Sequence, residues 1–302
     1  MRAIVLAWAL AALPARAAPA GAEAHRLVKK LASFGQRYAG APRRKEAVAL
    51  LARLMRERKL SVERQEFTAA DPRSGKSWDM VNLVGKFRPD APCRFLIGSH
   101  FDTRHAAEED PDPALRSRPI PGANDGTSGT AVVLALAGRL ASLLPPTVGA
   151  DVVLFDGEEM GYPGVGGYCK GSEHYARGLS PGLNGKAKFG IILDMVGSPE
   201  TDFRIEAASA RLHPALADTG WEIGAAKSPA FSRKPQGAIG DDHVPLSQAG
   251  IPAILIIGWG YPQWHTTRDS VDRVSRQRLG LVQDTLEDFL KTRLGDFLGD
   301  CH

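Results

Sequence analysis

Four short apolar runs, each breaking off into ionisable residues, constrain this chain more than any other feature. "RFLIG" runs into Ser99, His100, Phe101 and Asp102, and "ADVVLF" into Asp156, Glu158 and Glu159. "FGIIL" runs into Asp194, while "IPAILIIG" leads within a few residues to Trp264 and His265. Runs so short and so uniformly apolar read as strands buried on both faces. Helical patterns lie between and after them, among them "TAVVLALAGRLASLL" and the closing "RQRLGLVQDTLEDFLKTRL". Strands interleaved with helices predict an α/β fold: three layers, with a mixed but mostly parallel central sheet covered on both faces. In such sheets ligands gather beyond the carboxyl ends of the strands, so these ionisable groups converge on one edge.

The rest of the chain fits a single domain. Residues 24–60 carry two helical patterns, "AHRLVKKLASFG" and "RKEAVALLARLMRERK". "SVERQEFTA" and "DMVNLVGKF" alternate as an exposed hairpin would. With 302 residues, 43% of them hydrophobic, one large core is affordable. The basic clusters "PRRK" and "RER" fall on an amphipathic helix, and the net charge is only +4, so no nucleic-acid partner is expected. The N-terminus differs: Met1 and Arg2 precede "AIVLAWALAAL", and a small-x-small "ARA" ends at Ala17. That pattern predicts a cleaved signal over residues 1–17, a catalytic domain over 18–302, and a secreted or periplasmic location with no membrane attachment after cleavage. Cys93, Cys169 and Cys301 then allow one bridge and one spare thiol, with the pairing open.

The ionisable set has a chemistry of its own. Imidazole mixed with carboxylate in His100, Asp125, Glu159, Asp194 and His265 suits Zn²⁺, and zinc-finger cysteine spacing is absent. Asp102, two residues beyond His100, points to the same side and can accept the second imidazole N–H. Asp125 lies in "PGANDGTSG", where the glycines permit close backbone approach. If Glu159 ligates the ion, its neighbour Glu158 is left to move a proton. His105, His174 and His213 read as solvated or capping histidines.

These segments resemble peptidase family M28, the zinc aminopeptidases. The resemblance runs from "VNLVG" through "SHFDT", "GANDGTSG", "FDGEEMG", "LDMVG" and "DDHVPLSQAGIP" to "WHTTRDSVDRVS". Within that family "DGEE", "GAIGDDHVPL" and "YPQWHT" resemble the glutaminyl-peptide cyclotransferases. The resemblance implies a zinc-aminopeptidase-like (phosphorylase/hydrolase-like) fold, with one zinc held by Asp125, Glu159 and His265. It implies Glu158 as general acid/base, with Asp194 and Asp241 in an acidic network beside it, and Trp264 under the substrate side chain. His100 and Asp194 match the additional ligands of two-metal members.

The sequence also departs from the animal cyclases, with Leu255 where they carry a His and Ser99 where they carry a cysteine. "MGYPGVGGYCKG" lacks their loop Trp, which leaves Tyr162 or Trp259 as the candidate pocket wall. Three readings follow: a zinc glutaminyl cyclase making N-terminal pyroglutamate, a secreted aminopeptidase with one or two zinc ions, and a non-catalytic binding domain. The first two take peptide or protein N-termini as substrate.

Overall fold

The computed structural model describes residues 19–179 and 187–299. The expected signal, residues 1–17, lies outside the described residues, as does Cys301. Cys93 is disulfide-bonded and Cys169 is a free, buried thiol. Among the described residues no helix is long and apolar enough to cross a membrane.

The alternating hairpin forms as β1 (Ser61–Ala70) paired antiparallel with β2 (Ser77–Phe87). The apolar runs become β3 (Cys93–His100), β4 (Val148–Phe155) and β5 (Gly190–Asp194). Two short strands follow, β6 (Phe203–Glu206) and β7 (Phe231–Gln236), and then the last apolar run, β8 (Ala253–Ile257). The main sheet has the order β1-β2-β4-β3-β5-β8, while β6 and β7 form a separate parallel pair. β4, β3, β5 and β8 are mutually parallel, and every residue in them is buried. Parallel pairing aligns their carboxyl ends, with His100 level with Phe155 and Asp194 level with Ile257. The predicted convergence at one sheet edge is therefore a property of the fold.

Helices cover both faces. One core gathers helices Ala22–Ala32, Arg44–Glu57, Ser128–Ala137, Pro214–Lys227 and Arg276–Thr292 around the sheet. A smaller core on the other face takes Tyr175 and Leu246 from helices Lys170–Arg177 and His243–Gln248. The expected helix "TAVVLALAGRLASLL" is interrupted: it stops at Gly138 and restarts as Leu140–Leu143. All ten residues of Ser128–Ala137 are buried, because this helix lies between the central strands β3 and β5 and helices Ala22–Ala32 and Arg276–Thr292. A Cβ at Gly129 would come within 2.4 Å of the Leu193 carbonyl oxygen, so only glycine permits the approach.

Candidate metal centre

Asp125, Glu159 and His265 offer ligand atoms that lie within 4.8 Å of one another, and all three residues are buried. His265 Nε2 is 3.3 Å from Glu159 Oε2 and 3.8 Å from Asp125 Oδ2. Donors sharing one tetrahedral ion at about 2.0 Å stand about 3.3 Å apart, so the trio is spaced to hold one. Asp125 Oδ2, the oxygen on the His265 side, is buried without a hydrogen-bond partner, an unmet acceptor that an ion would satisfy. A second group, His100, Asp125 and Asp194, adjoins the first through Asp125. There His100 Nε2 lies 2.9 Å from Asp194 Oδ1 and 3.3 Å from Asp125 Oδ1.

Local backbone geometry aims these side chains. Gly126, at φ 79, follows Asp125 where a Cβ would sit 2.0 Å from the Asp102 carbonyl oxygen. Glu158 and Glu159 occupy a single 3₁₀ turn after β4, entered through the left-handed Gly157. Asp102 clamps that turn, its two carboxylate oxygens accepting the amides of Glu158 at 3.3 Å and Glu159 at 3.2 Å. Its Oδ1 also lies 3.5 Å from His100 Nδ1, so the aspartate expected behind His100 serves the paired glutamates as well. Met195 and His265 hold positive φ angles of 47° and 50°, a backbone region non-glycine residues seldom occupy.

Charge is concentrated here. Burial and the neighbouring Glu159 push the Glu158 carboxyl well above its ordinary pKa. Burial, Glu159 and Asp194 do the same to Asp125, and burial with Asp194 lifts Asp241 to about 6. Burial pulls the His100 imidazole down, but hydrogen bonds to Asp102, Asp125 and Asp194 carry it well above its usual value. Glu159 goes the other way: burial opposes its ionisation, yet His265 and Arg104 hold it below the ordinary carboxylate range. So many acids in one cleft repel one another unless a cation sits among them, and a divalent ion relieves that strain. The donor set fits zinc.

The trio opens into a pocket of about 590 Å³ whose lining includes Glu158, Asp194, Asp241, Trp259 and Trp264. Trp264 stacks on the His265 ring with centroids 3.9 Å apart, and Trp259 packs against Trp264 at 5.3 Å. The remaining wall comes from Pro163, Tyr168, Met195, Ile257 and the segment Gln236 to Gly240.

Tyr162, expected as a possible wall, is not part of the lining. Its hydroxyl donates to Asp71 at 3.0 Å and lies 2.9 Å from His105 Nε2, which turns the ring toward the β1–β2 turn. Tyr168, six residues on, takes the wall position. His105 is thus part of that cluster rather than a solvated side chain. His174 stacks on Phe67 and His213 lies 3.0 Å from Ser247 Oγ, both away from the site. Asp156 also faces away, accepting the Val81 amide at 2.7 Å and pairing with Arg44.

Sequence reasoning passed over three supports. Asp269 accepts the amides of Asn124 and Asp125. Arg104, fully buried, donates to the carbonyl oxygens of Glu159 at 2.8 Å and Gly161 at 2.6 Å. Glu108 lies between Arg104 and His265. Each acts across the fold, and the only sequence signal was polar residues following "SHFDT" and "WHTT".

The profile of peptidase family M28 matches residues 82–290. A bovine glutaminyl-peptide cyclotransferase-like protein is 25% identical over 265 residues, which is 78% of this chain and 65% of that protein. The crystal structure of Porphyromonas gingivalis glutaminyl cyclase superposes with a TM-score of 0.83 at 32% identity, covering 89% of this chain and 97% of that one. A Zn-dependent exopeptidase from Parabacteroides distasonis superposes with a TM-score of 0.84 at 28% identity, covering 90% and 98%. Matched over most of its length, with the fold and the acidic edge in place, the chain belongs to peptidase family M28.

Proposed function

We propose that this chain is a zinc-dependent glutaminyl-peptide cyclotransferase, closing an N-terminal glutamine to pyroglutamate with release of ammonia. The observation that carries the reading is the Trp264 ring laid against His265 at 3.9 Å, beneath a pocket walled by Trp259, Ile257 and Tyr168. An aromatic floor beside a candidate ligand suits the flat, largely apolar ring that glutamine becomes. The likeness to a bacterial protein named as a glutaminyl cyclase and to a bovine one named as glutaminyl-peptide cyclotransferase-like supports it.

In this reading Asp125, Glu159 and His265 hold the ion. Zinc bound there supplies Lewis-acid polarisation of the glutamine side-chain carbonyl. The acids Asp194 and Asp241 receive the substrate's amino terminus, and Glu158 moves the proton. The α-nitrogen attacks the side-chain amide carbon and the bond to the amide nitrogen breaks. Glu158 takes the amine's proton and returns it to the departing ammonia, so no water is consumed. The nucleophile is tethered to its target, and proximity supplies much of the rate. We further read residues 18–302 as one catalytic domain, exported to the periplasm or beyond on the leader pattern of residues 1–17.

A second reading has one observation behind it. Asp125 turns one oxygen to His100 and the other to His265, the arrangement of a carboxylate bridging two ions in an aminopeptidase. Assay of a Gln-initiated peptide against a Leu-initiated one separates the two. Ammonia from the first without cleavage of the second supports the cyclase, and free leucine without ammonia overturns it.

A further inference from the structure

We propose that Glu108, locked in place by the buried Arg104, is the positioning group that presents His265 to the metal. The inference rests on the metal-centre reading above. A histidine that ligates through Nε2 must carry its proton on Nδ1, and an acceptor facing Nδ1 fixes both tautomer and ring orientation. Glu108 Oε1 faces His265 Nδ1 at 3.7 Å, just beyond hydrogen-bond reach. His265 Nδ1 and Glu108 Oε2 are both buried and both without a partner, an orphaned donor site beside an orphaned acceptor.

Arg104 shows why Glu108 is the acceptor. Its guanidinium is fully buried and grips Glu108 through Nε at 2.8 Å and through Nη2. Its Nη1 donates to the Glu159 carbonyl oxygen at 2.8 Å and lies 3.5 Å from the Glu159 carboxylate. One cation therefore fastens two of the three candidate ligands, Glu159 directly and His265 through Glu108. The backbone adds a further tie, with the Glu109 amide donating to the His265 carbonyl oxygen at 3.2 Å. His265 sits at φ 50, a conformation that persists only when its surroundings impose it. An exposed i,i+4 ion pair would need no such explanation, but Arg104 has no exposed surface.

The test is zinc affinity of the full chain, measured by competition with a chromophoric chelator. Glu108→Ala and Glu108→Gln are compared in the parent and in a His265→Ala background. Removing an outer carboxylate of this kind weakens metal binding roughly 10–100-fold. We expect that loss for Glu108→Ala, a smaller one for Glu108→Gln, and no loss for either once His265 is gone. Unchanged affinity in Glu108→Ala overturns the proposal, and so does an equal loss in both backgrounds, which marks a purely structural effect. A parent chain that takes up no zinc at all overturns the metal-centre reading itself, and the proposal with it.

Discussion

Asp269 holds Asp125 by its backbone: one carboxylate oxygen accepts the Asn124 amide at 2.8 Å, the other the Asp125 amide at 3.1 Å. The Tyr261 hydroxyl donates to the same carboxylate at 3.0 Å. A candidate ligand is thus fixed from behind by a residue 144 positions away in the chain. Asp269→Ala strands two buried amides, and a loss of about 2–4 kcal/mol in urea unfolding is expected. Zinc affinity should fall with it. A change below about 1 kcal/mol would mean that water replaces the carboxylate.

The two tyrosines of the glycine-rich loop should separate cleanly. Tyr168 lines the pocket, so Tyr168→Ala should raise KM for a Gln-initiated peptide several-fold with little change in stability. Tyr162 bonds Asp71 and His105 outside it, so Tyr162→Phe should cost about 0.5–1.5 kcal/mol and leave kcat/KM within about twofold. Kinetics and thermal unfolding of both variants check the assignment, and the reverse pattern would restore Tyr162 to the pocket.

Glu158 has no role in holding its neighbours that Gln could not fill. Its side chain meets only the Cys169 thiol, at 3.6 Å, among the hydrogen bonds of the described residues. Glu158→Gln keeps the shape and removes the proton carrier, so kcat should fall about 10²–10⁴-fold while zinc content stays at the parent level. Metal analysis beside the activity assay decides it. Lost zinc with lost turnover would exchange the roles of Glu158 and Glu159.

What the sequence made legible follows from where its physics is local. A strand buried on both faces is apolar along its whole length, and the donors stand within a few residues of the strand ends, so His100, Glu159 and Asp194 could be placed on one edge. β6 and β7 could not be read. "FRIE" alternates but is only four residues long, "FSRKPQ" does not alternate and is interrupted by Pro235, and the pair is held by distant groups. Trp221 Nε1 donates to the Phe203 carbonyl oxygen at 2.9 Å, and buried Glu206 accepts the Ile239 amide at 3.1 Å, which pins the segment that walls the pocket. That Tyr168 rather than Tyr162 joins Trp259 in the wall was equally hidden, because the Tyr162–Gly166 bridge folds that loop back on itself. Arg104, Glu108 and Asp269 act through contacts between loops, which no periodicity announces.

Asp156 gives the fold a pH dependence that is separable from the metal centre. Burial, with the Asp102 charge adding and Arg44 opposing, raises its carboxyl to about 7, against an ordinary value of 3.8. The folded chain therefore binds a proton that the unfolded chain has released between those two values. Stability from this group is complete below the ordinary carboxylate pKa and is lost as the pH rises through about 7. Asp156→Asn is neutral at every pH, still offers an oxygen to the Val81 amide, and should lose this slope. Thermal unfolding of parent and variant from pH 4.5 to 8, with zinc removed by chelator from both, isolates the effect. The parent should lose stability relative to the variant as the pH rises. If instead the difference between parent and variant stays flat over that interval, the Arg44 pair dominates, Asp156 is ionised throughout, and its burial is balanced by the guanidinium.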